Sequence, residues 1–440
     1  MPPSLAPSGP ATGFVAAGAP HAPGVPGEPA PAHRAQPLLA VSAVQRHAAP
    51  LLARIRAGQS PYFSWDGDAF QALLARAATA LIQPGDGPPR LAPWPRYACG
   101  QVDRWGELAW AEGLAPGALA DHHREERART RIDLLLVTAL ITCDPAPGWG
   151  YRDRASGQEL DGADALAVAA LRFFASGACS AQAHHPLRAD ARALAAITPQ
   201  TLAAALPPHD GRPLPGLERR AARLRRLGAV MQAHPALFAA PEDPGNLRLG
   251  HLLDACVERA PGSVLDADDL LAVLLAPLND LAPGRLSLSG QPLGDCWPHP
   301  HAPDGLVPLH SLAQWLALGL VEPLRDAGLA LRGMGALPAA ASWRLGGWLL
   351  DAGVLCARQP RLLAEPAGLD ALPVVEWRAA TCAALEQLAQ ALLARPDMPA
   401  CAAAPGALHA WLRSLARQDA ACQRPGAAPA WLPETTGLLE

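Results

Sequence analysis

The sequence predicts a mostly all-α fold, a single large helical domain that carries one small β-hairpin. Half of the 440 residues are hydrophobic, but Ala and Leu dominate that half, while Ile, Phe and Tyr are few. Ala and Leu favour helix, and the β-branched and aromatic residues that favour strand are scarce. Apolar residues recur at three and four positions through long stretches, the period of a helix with one buried face. Only residues 285–293 alternate apolar and polar side chains, around Ser289 and Gly290, which is a hairpin signal.

Residues 1–36 are rich in Pro, Ala and Gly and hold almost no large apolar side chain beyond Leu5 and Phe14, the composition of a disordered tail. The helical domain is expected over 37–395. Its periodicity runs from Leu38 to Ala57, and a second helix follows Asp66 or Asp68 as cap, carrying Phe70, Leu73, Leu74 and Leu81. The stretch from Trp94 to Trp105 is irregular, with a helix beginning near Asp103. A long helix from about Leu119 to Ile141 is charged over 121–131 and apolar over 134–140, so one end enters the core. Further helices are expected near 163–176, 216–234, 246–258 and 266–280. After the hairpin come a loop rich in Pro and His, a helix from Pro308 to about Leu324, and a helix from Pro373 to about Leu393. Proline suits a first turn, where its missing N–H costs nothing. Residues 396–440 form an Ala/Pro-rich, partly helical tail.

Composition removes several chemistries. All 36 basic residues are Arg, which points to a GC-rich genome and leaves no lysine for a Schiff base, excluding pyridoxal phosphate enzymes and lysine-dependent aldolases. There is no Walker A lysine and no Gly-rich phosphate loop. A formal net charge of −4 argues against a nucleic-acid partner, and the basic run 218–226 reads as a solvated helix face. Nine scattered cysteines without a CxxC pair suit reduced thiols in a cytoplasm better than a disulfide frame or a zinc knuckle. The N-terminus lacks the pattern of a signal peptide. No apolar run approaches the ~20 residues that span a bilayer. Neither a cofactor nor a membrane partner is expected.

Polar and aromatic residues gather between Gly290 and Thr381. Asp295 and His299, in a stretch broken by prolines that also holds Cys296, Trp297 and His301, suit the lining of a small-molecule pocket more than a metal site. His310 and Gln314 are four residues apart and share a helix face beside Trp315, as a pocket wall or as a mutually satisfied pair. Glu376 and Arg378 are separated by about 200° on one helix, so they do not serve one site as a simple pair. One is expected to be buried or to face a ligand, while the other holds a neighbouring element. In Trp343-Arg344-Leu345-Gly346-Gly347 the glycines permit a close helix crossing or an unusual dihedral. Arg344 offers a forked guanidinium for phosphate or carboxylate.

Together, Gly-Asp-Cys-Trp (294–297), Val-Pro-Leu-His-Ser-Leu-Ala-Gln-Trp-Leu (307–316), Glu-Pro-Leu (322–324), Trp-Arg-Leu-Gly-Gly (343–347), Asp-Ala-Gly-Val-Leu (351–355) and Val-Glu-Trp-Arg-Ala (375–379) resemble the uracil catabolism protein 4 family. Val-Asp-Arg-Trp (102–105), Trp-Gly-Tyr (149–151) and Leu-Ala-Val-Ala (166–169) extend the resemblance over about residues 38–395, in the same order. The family occurs in fungi and bacteria that degrade uracil through a ribosylurea route. Its fold is similar to the queuosine-salvage nucleoside hydrolases, which implies a DNA-glycosylase-like helical architecture. The resemblance implies cleavage of an N-ribosyl bond in ribosylurea or its phosphate, with a nucleoside-like ligand as partner. Asp295 or Glu376 would supply the carboxylate, His310, Gln314, Arg344 and Arg378 would orient the substrate, and Trp297 or Trp315 would cover it, beside His299 and Trp343. The alternative is a catalytically silent paralogue that binds such a ligand or a partner enzyme. The chain departs from the family at Ser311, where Lys is usual, at Ser342, where an acidic residue is usual, at Leu345 in place of Asn, and at Thr142 and Asp144, where an Asp is displaced.

Overall fold

A computed structural model describes residues 32–82, 94–114, 121–143, 146, 148–240, 243–281, 286–337, 342–365, 367–399 and 407–418. Among the described residues the fold is mostly helical, with strands only in two-stranded pairs. The longer helices, those of eight residues or more, are α1 (Ala32–Leu39), α2 (Val41–Arg56), α3 (Gly67–Ile82), α4 (Arg104–Ala111), α5 (Asp121–Thr142), α6 (Gly162–Ala175), α7 (Leu217–Ala233), α8 (Ala267–Leu281), α9 (Ser311–Asp326), α10 (Trp343–Asp351), α11 (Leu372–Leu393) and α12 (Ala407–Gln418). The predicted all-α domain is therefore the observed one. No described helix is long and apolar enough to cross a membrane.

Of the two cap candidates ahead of α3, Asp66 is the one that acts, accepting from the Ala69 N–H at 2.9 Å. The helix expected near Asp103 starts at Arg104, and Asp103 caps it by accepting from the Gly106 N–H at 3.0 Å. The predicted hairpin pairs Ser287–Leu288 with Gln291–Pro292, and Ser289 and Gly290 both adopt positive φ, the conformation a two-residue hairpin turn demands. Other expectations shift. Helix α1 begins at Ala32, inside the stretch assigned to the N-terminal tail, and a break at Ala40 separates it from α2. Residues 1–31 and 419–440 lie outside the described residues, as do Asp144, Cys401 and Cys422. The helix expected over 246–258 is shorter, Leu252–Glu258, because Asp243–Leu247 pairs as a strand with Ala239–Ala240. Pro308 does not open α9; it ends the strand Leu306–Pro308, which pairs with Cys296–Pro298. The Pro- and His-rich loop is thus a second hairpin, which its prolines disguised. The basic run in α7 is not all solvated either: Arg220 is fully buried and donates to the Pro215 and Ile141 carbonyls.

Apolar side chains collect into two main clusters. The larger gathers α5 to α9 around the apolar half of α5, and the second gathers α2, α3, α10, α11 and α12. Helix α11 is buried on all sides from Val374 to Leu385, its mostly apolar surface interrupted by Glu376, Arg378 and Thr381, so it forms the axis of the second cluster, with α2 packed along it. Helix α10 crosses α11 closely at Gly346. A Cβ there would lie 2.3 Å from the Trp377 ring and 2.9 Å from the Thr381 hydroxyl, so the close crossing, and not an unusual dihedral, is what this glycine serves. Trp377 packs in turn against Trp343, with ring centroids 4.8 Å apart, which opposes its retreat in that direction. Gly346→Ala is expected to cost about 1–3 kcal/mol through overpacking, more than the ~1 kcal/mol that Ala gains over Gly in a helix. Chemical denaturation checks this, and unchanged stability would show that the ring has room to move.

Buried ion pairs fasten the larger cluster. Asp133 on α5 is fully buried and accepts from Arg248 at 2.7 Å and from the Gly250 N–H at 2.7 Å. Burial pushes its carboxyl up to about 7 against the pull of Arg248. Burial also works against the Arg248 charge, but Asp133 and Glu126 outweigh it and hold the guanidinium above its ordinary value.

Candidate functional site

The site lies where the two clusters meet. Val307 and Leu309 belong to the second, whereas Ala313, Trp315 and Leu316 of α9 belong to the larger one. Asp295, at the entry to the 296–308 hairpin, fastens this crossing twice. Its carbonyl accepts from the N–H groups of Leu309 (2.8 Å) and His310 (3.2 Å). Its carboxylate accepts from the Ser311 N–H, at the start of α9, at 3.0 Å. His310 precedes that helix in a left-handed conformation, φ 44°, uncommon for any residue but glycine. The chain cannot enter the helix earlier, which is why α9 starts three residues beyond Pro308.

The same carboxylate accepts from the Trp297 indole N–H at 2.6 Å and receives Nη2 of Arg378 at 2.9 and 2.8 Å. Arg378 is 1% exposed, while the Asp295 side chain keeps 18% of its surface. Burial alone would push the Asp295 carboxyl up, but the Arg378 charge, with the hydrogen bonds from Trp297 and Ser311, holds it below the ordinary aspartate range. Nη2 also donates to the Ser311 hydroxyl at 3.3 Å. The other donors of Arg378, Nε and Nη1, are buried without a partner.

Glu376 faces the other way. It accepts from the Ser60 hydroxyl and lies 3.6 Å from Nε2 of His299. Ser60 in turn accepts from the Tyr62 and Phe63 N–H groups, both at 3.0 Å, and so ties the turn after α2 to α11. Both Glu376 and Arg378 are buried, and each holds a different part of the segment from Asp295 to Ser311. Both are buried because the helix is enclosed on every side between Val374 and Leu385.

His310 and Gln314 are both fully buried. His310 Nε2 lies 2.9 Å from the Leu38 carbonyl, and Gln314 Nε2 donates to the Leu309 carbonyl at 2.7 Å. They do not satisfy each other, since His310 Nδ1 and Gln314 Oε1 have no partner. Arg344 is half-buried on α10, with an unpartnered Nε, and Ser342 caps that helix by accepting from the Leu345 N–H at 3.2 Å. Trp297 meets Asp295 directly. Trp315 is buried with the larger cluster, not with the one that holds Trp297, Trp343 and Trp377. Among the described residues no three His, Cys, Asp or Glu side chains converge as metal ligands.

Sequence reasoning missed two participants. Ser60 contacts Glu376 across 316 positions, and nothing local to its Gly-Gln-Ser-Pro turn announces that. The Leu38 carbonyl, which fixes His310, is a main-chain group and carries no sequence signal.

Residues 37–402 match the family described as a protein of unknown function, DUF1688. The chain belongs to this family. It is also similar to two fungal proteins. It is 28% identical over 277 residues to uracil catabolism protein 4 of Lachancea kluyveri, a match covering 60% of this chain and 61% of that one. It is 30% identical over 302 residues to protein urg3 of Schizosaccharomyces pombe, covering 67% and 69% respectively. The chain thus spans about three fifths of the first relative's length and just over two thirds of the second's. The resemblance to uracil catabolism protein 4, carried by the motifs from 294 to 379, is borne out at this level.

Proposed function

We propose that this DUF1688 protein acts in uracil catabolism by hydrolysing the N-ribosyl bond of a ribosylurea-type compound at the Asp295–Arg378 site. One observation carries the reading: a partly accessible carboxylate, held charged inside the seam, stands beside a buried guanidinium with two unused donors. A relative named for uracil catabolism supports the pathway.

In the reaction the bond between the anomeric carbon and the urea nitrogen breaks, and a bond from that carbon to a water oxygen forms. A proton from the water passes to the leaving nitrogen. Positive charge builds on the sugar as the bond breaks, and the Asp295 carboxylate offsets it. We assign this role to Asp295 in preference to Glu376, which is buried behind Ser60 and His299. In this reading Arg378 donates to a substrate oxygen, and Arg344, whose Nε is unpartnered, serves as a second donor.

Purified protein given ribosylurea, or its phosphate, should release urea. Asp295→Asn removes the charge and keeps an acceptor for only one of the Trp297 and Ser311 N–H groups, which bond different carboxylate oxygens, and should slow release by about 10²–10⁴-fold. Absence of urea from the wild type would sink the hydrolase reading. A second reading, binding without turnover, draws on the fact that both Asp295 oxygens are already engaged by protein donors. It expects ligand-dependent thermal stabilisation without urea, lost in Arg344→Ala.

A further inference from the structure

We infer that the first turn of α9 recognises a ureido group, with His310 Nδ1 and Gln314 Oε1 accepting from ligand N–H groups and Arg378 donating to the ligand carbonyl. This rests on the proposed function and specifies how its substrate is read.

The argument is one of hydrogen-bond polarity. A carbonyl oxygen only accepts, so the contact of Gln314 with the Leu309 carbonyl requires its NH₂ there and fixes Oε1 as the free atom. By the same reasoning the contact with the Leu38 carbonyl places the proton of His310 on Nε2. Burial lowers the pKa of His310, which keeps the ring neutral and leaves Nδ1 as a bare lone pair. Both atoms are buried acceptors without a donor, a rare condition in folded proteins. Gln314 lies in the first turn of α9 and the left-handed His310 immediately precedes that turn, and the backbone N–H of Gln314 donates to the His310 carbonyl at 3.0 Å. The turn that holds them is joined to Asp295 through the His310 and Ser311 N–H groups, and to Arg378 through the Ser311 hydroxyl. On the donor side Arg378 offers Nε and Nη1.

Two acceptors and a donor complement a urea, which presents N–H groups on both nitrogens and one carbonyl oxygen. An intact, ribosylated uracil ring has the opposite balance, one N–H between two carbonyls. The site is therefore matched to the opened chain and not to the ring.

Calorimetric titration of the full chain with ribosylurea, with its analogue dimethylated on the terminal nitrogen, and with uridine tests this. The wild type should prefer ribosylurea to each of the others by at least about tenfold. Gln314→Met, which keeps volume and helix propensity but has no amide acceptor, should lose most of its preference over the dimethyl compound. Because only the ligand changes in the wild-type comparison, that result stands even if the variant folds poorly. Equal affinity of the wild type for the two ureas, tighter binding of uridine, or no binding at all overturns the inference, whether or not urea is released. Discrimination without urea release upholds it and removes hydrolysis. Urea release without discrimination does the reverse.

Discussion

Arg378→Ala is expected to destabilise the protein by about 3–5 kcal/mol, because it leaves the Asp295 carboxylate without its cation inside the seam. The pH dependence identifies the cause. In the wild type the folded-state pKa of Asp295 lies below the ordinary value. Its contribution is therefore present above the unfolded pKa, ~3.9, and is lost as pH falls through the lowered value. In the variant only burial and the hydrogen bonds remain, and burial, the largest influence, raises the pKa. The folded variant then binds the proton more tightly than the unfolded chain, so its deficit shrinks on acidification from pH 8 toward pH 5. Denaturant titrations of both proteins at the two pH values measure this. A deficit independent of pH would mean that lost packing, not the stranded charge, explains the cost.

Arg248→Met is expected to cost a similar amount, about 3–5 kcal/mol, since it strands Asp133, which is fully buried. The carboxyl, already at about 7 with Arg248 present, rises further and takes up a proton near neutral pH. A raised folded pKa contributes stability below the unfolded pKa that is lost as pH rises through the folded value, so this variant should weaken most above pH 7. Adding Asp133→Asn removes the charge while keeping an acceptor for the Gly250 N–H. The double variant should recover most of the loss, giving a coupling energy of about 0.5–3 kcal/mol in a double-mutant cycle. If the losses instead add, the two side chains act independently.

These two pairs show where the reading of the chain succeeded and where it stopped. Asp66 was identifiable as a cap candidate because a cap joins residues three apart. The hairpin at Ser289 and Gly290 was legible because its turn chemistry is local. The period of α9 and α11 was equally plain, but the start of α9 was misplaced. A left-handed His310, held by the Asp295 carbonyl, overrode the usual meaning of Pro308 as a helix opener. The separation of Glu376 and Arg378 on their helix followed from geometry alone, and the partners on either side, Ser60 with His299 and Asp295 with Ser311, confirm that the two serve different neighbours.

The sequence by itself determined the helical class, the absence of lysine chemistry, and the stretch from Gly290 to Thr381 as the polar centre of an apolar chain. Those properties depend on composition and on spacings of a few residues. Only the tertiary structure decided that Arg378 pairs with Asp295 and not Glu376, that Trp315 belongs to the larger core, and that His310 and Gln314 are left with unused acceptors. The reason is physical: each of these is settled by which hydrogen-bonding group arrives from another element when two cores close on one seam. A partner 83 or 272 positions away leaves no periodic trace in the chain.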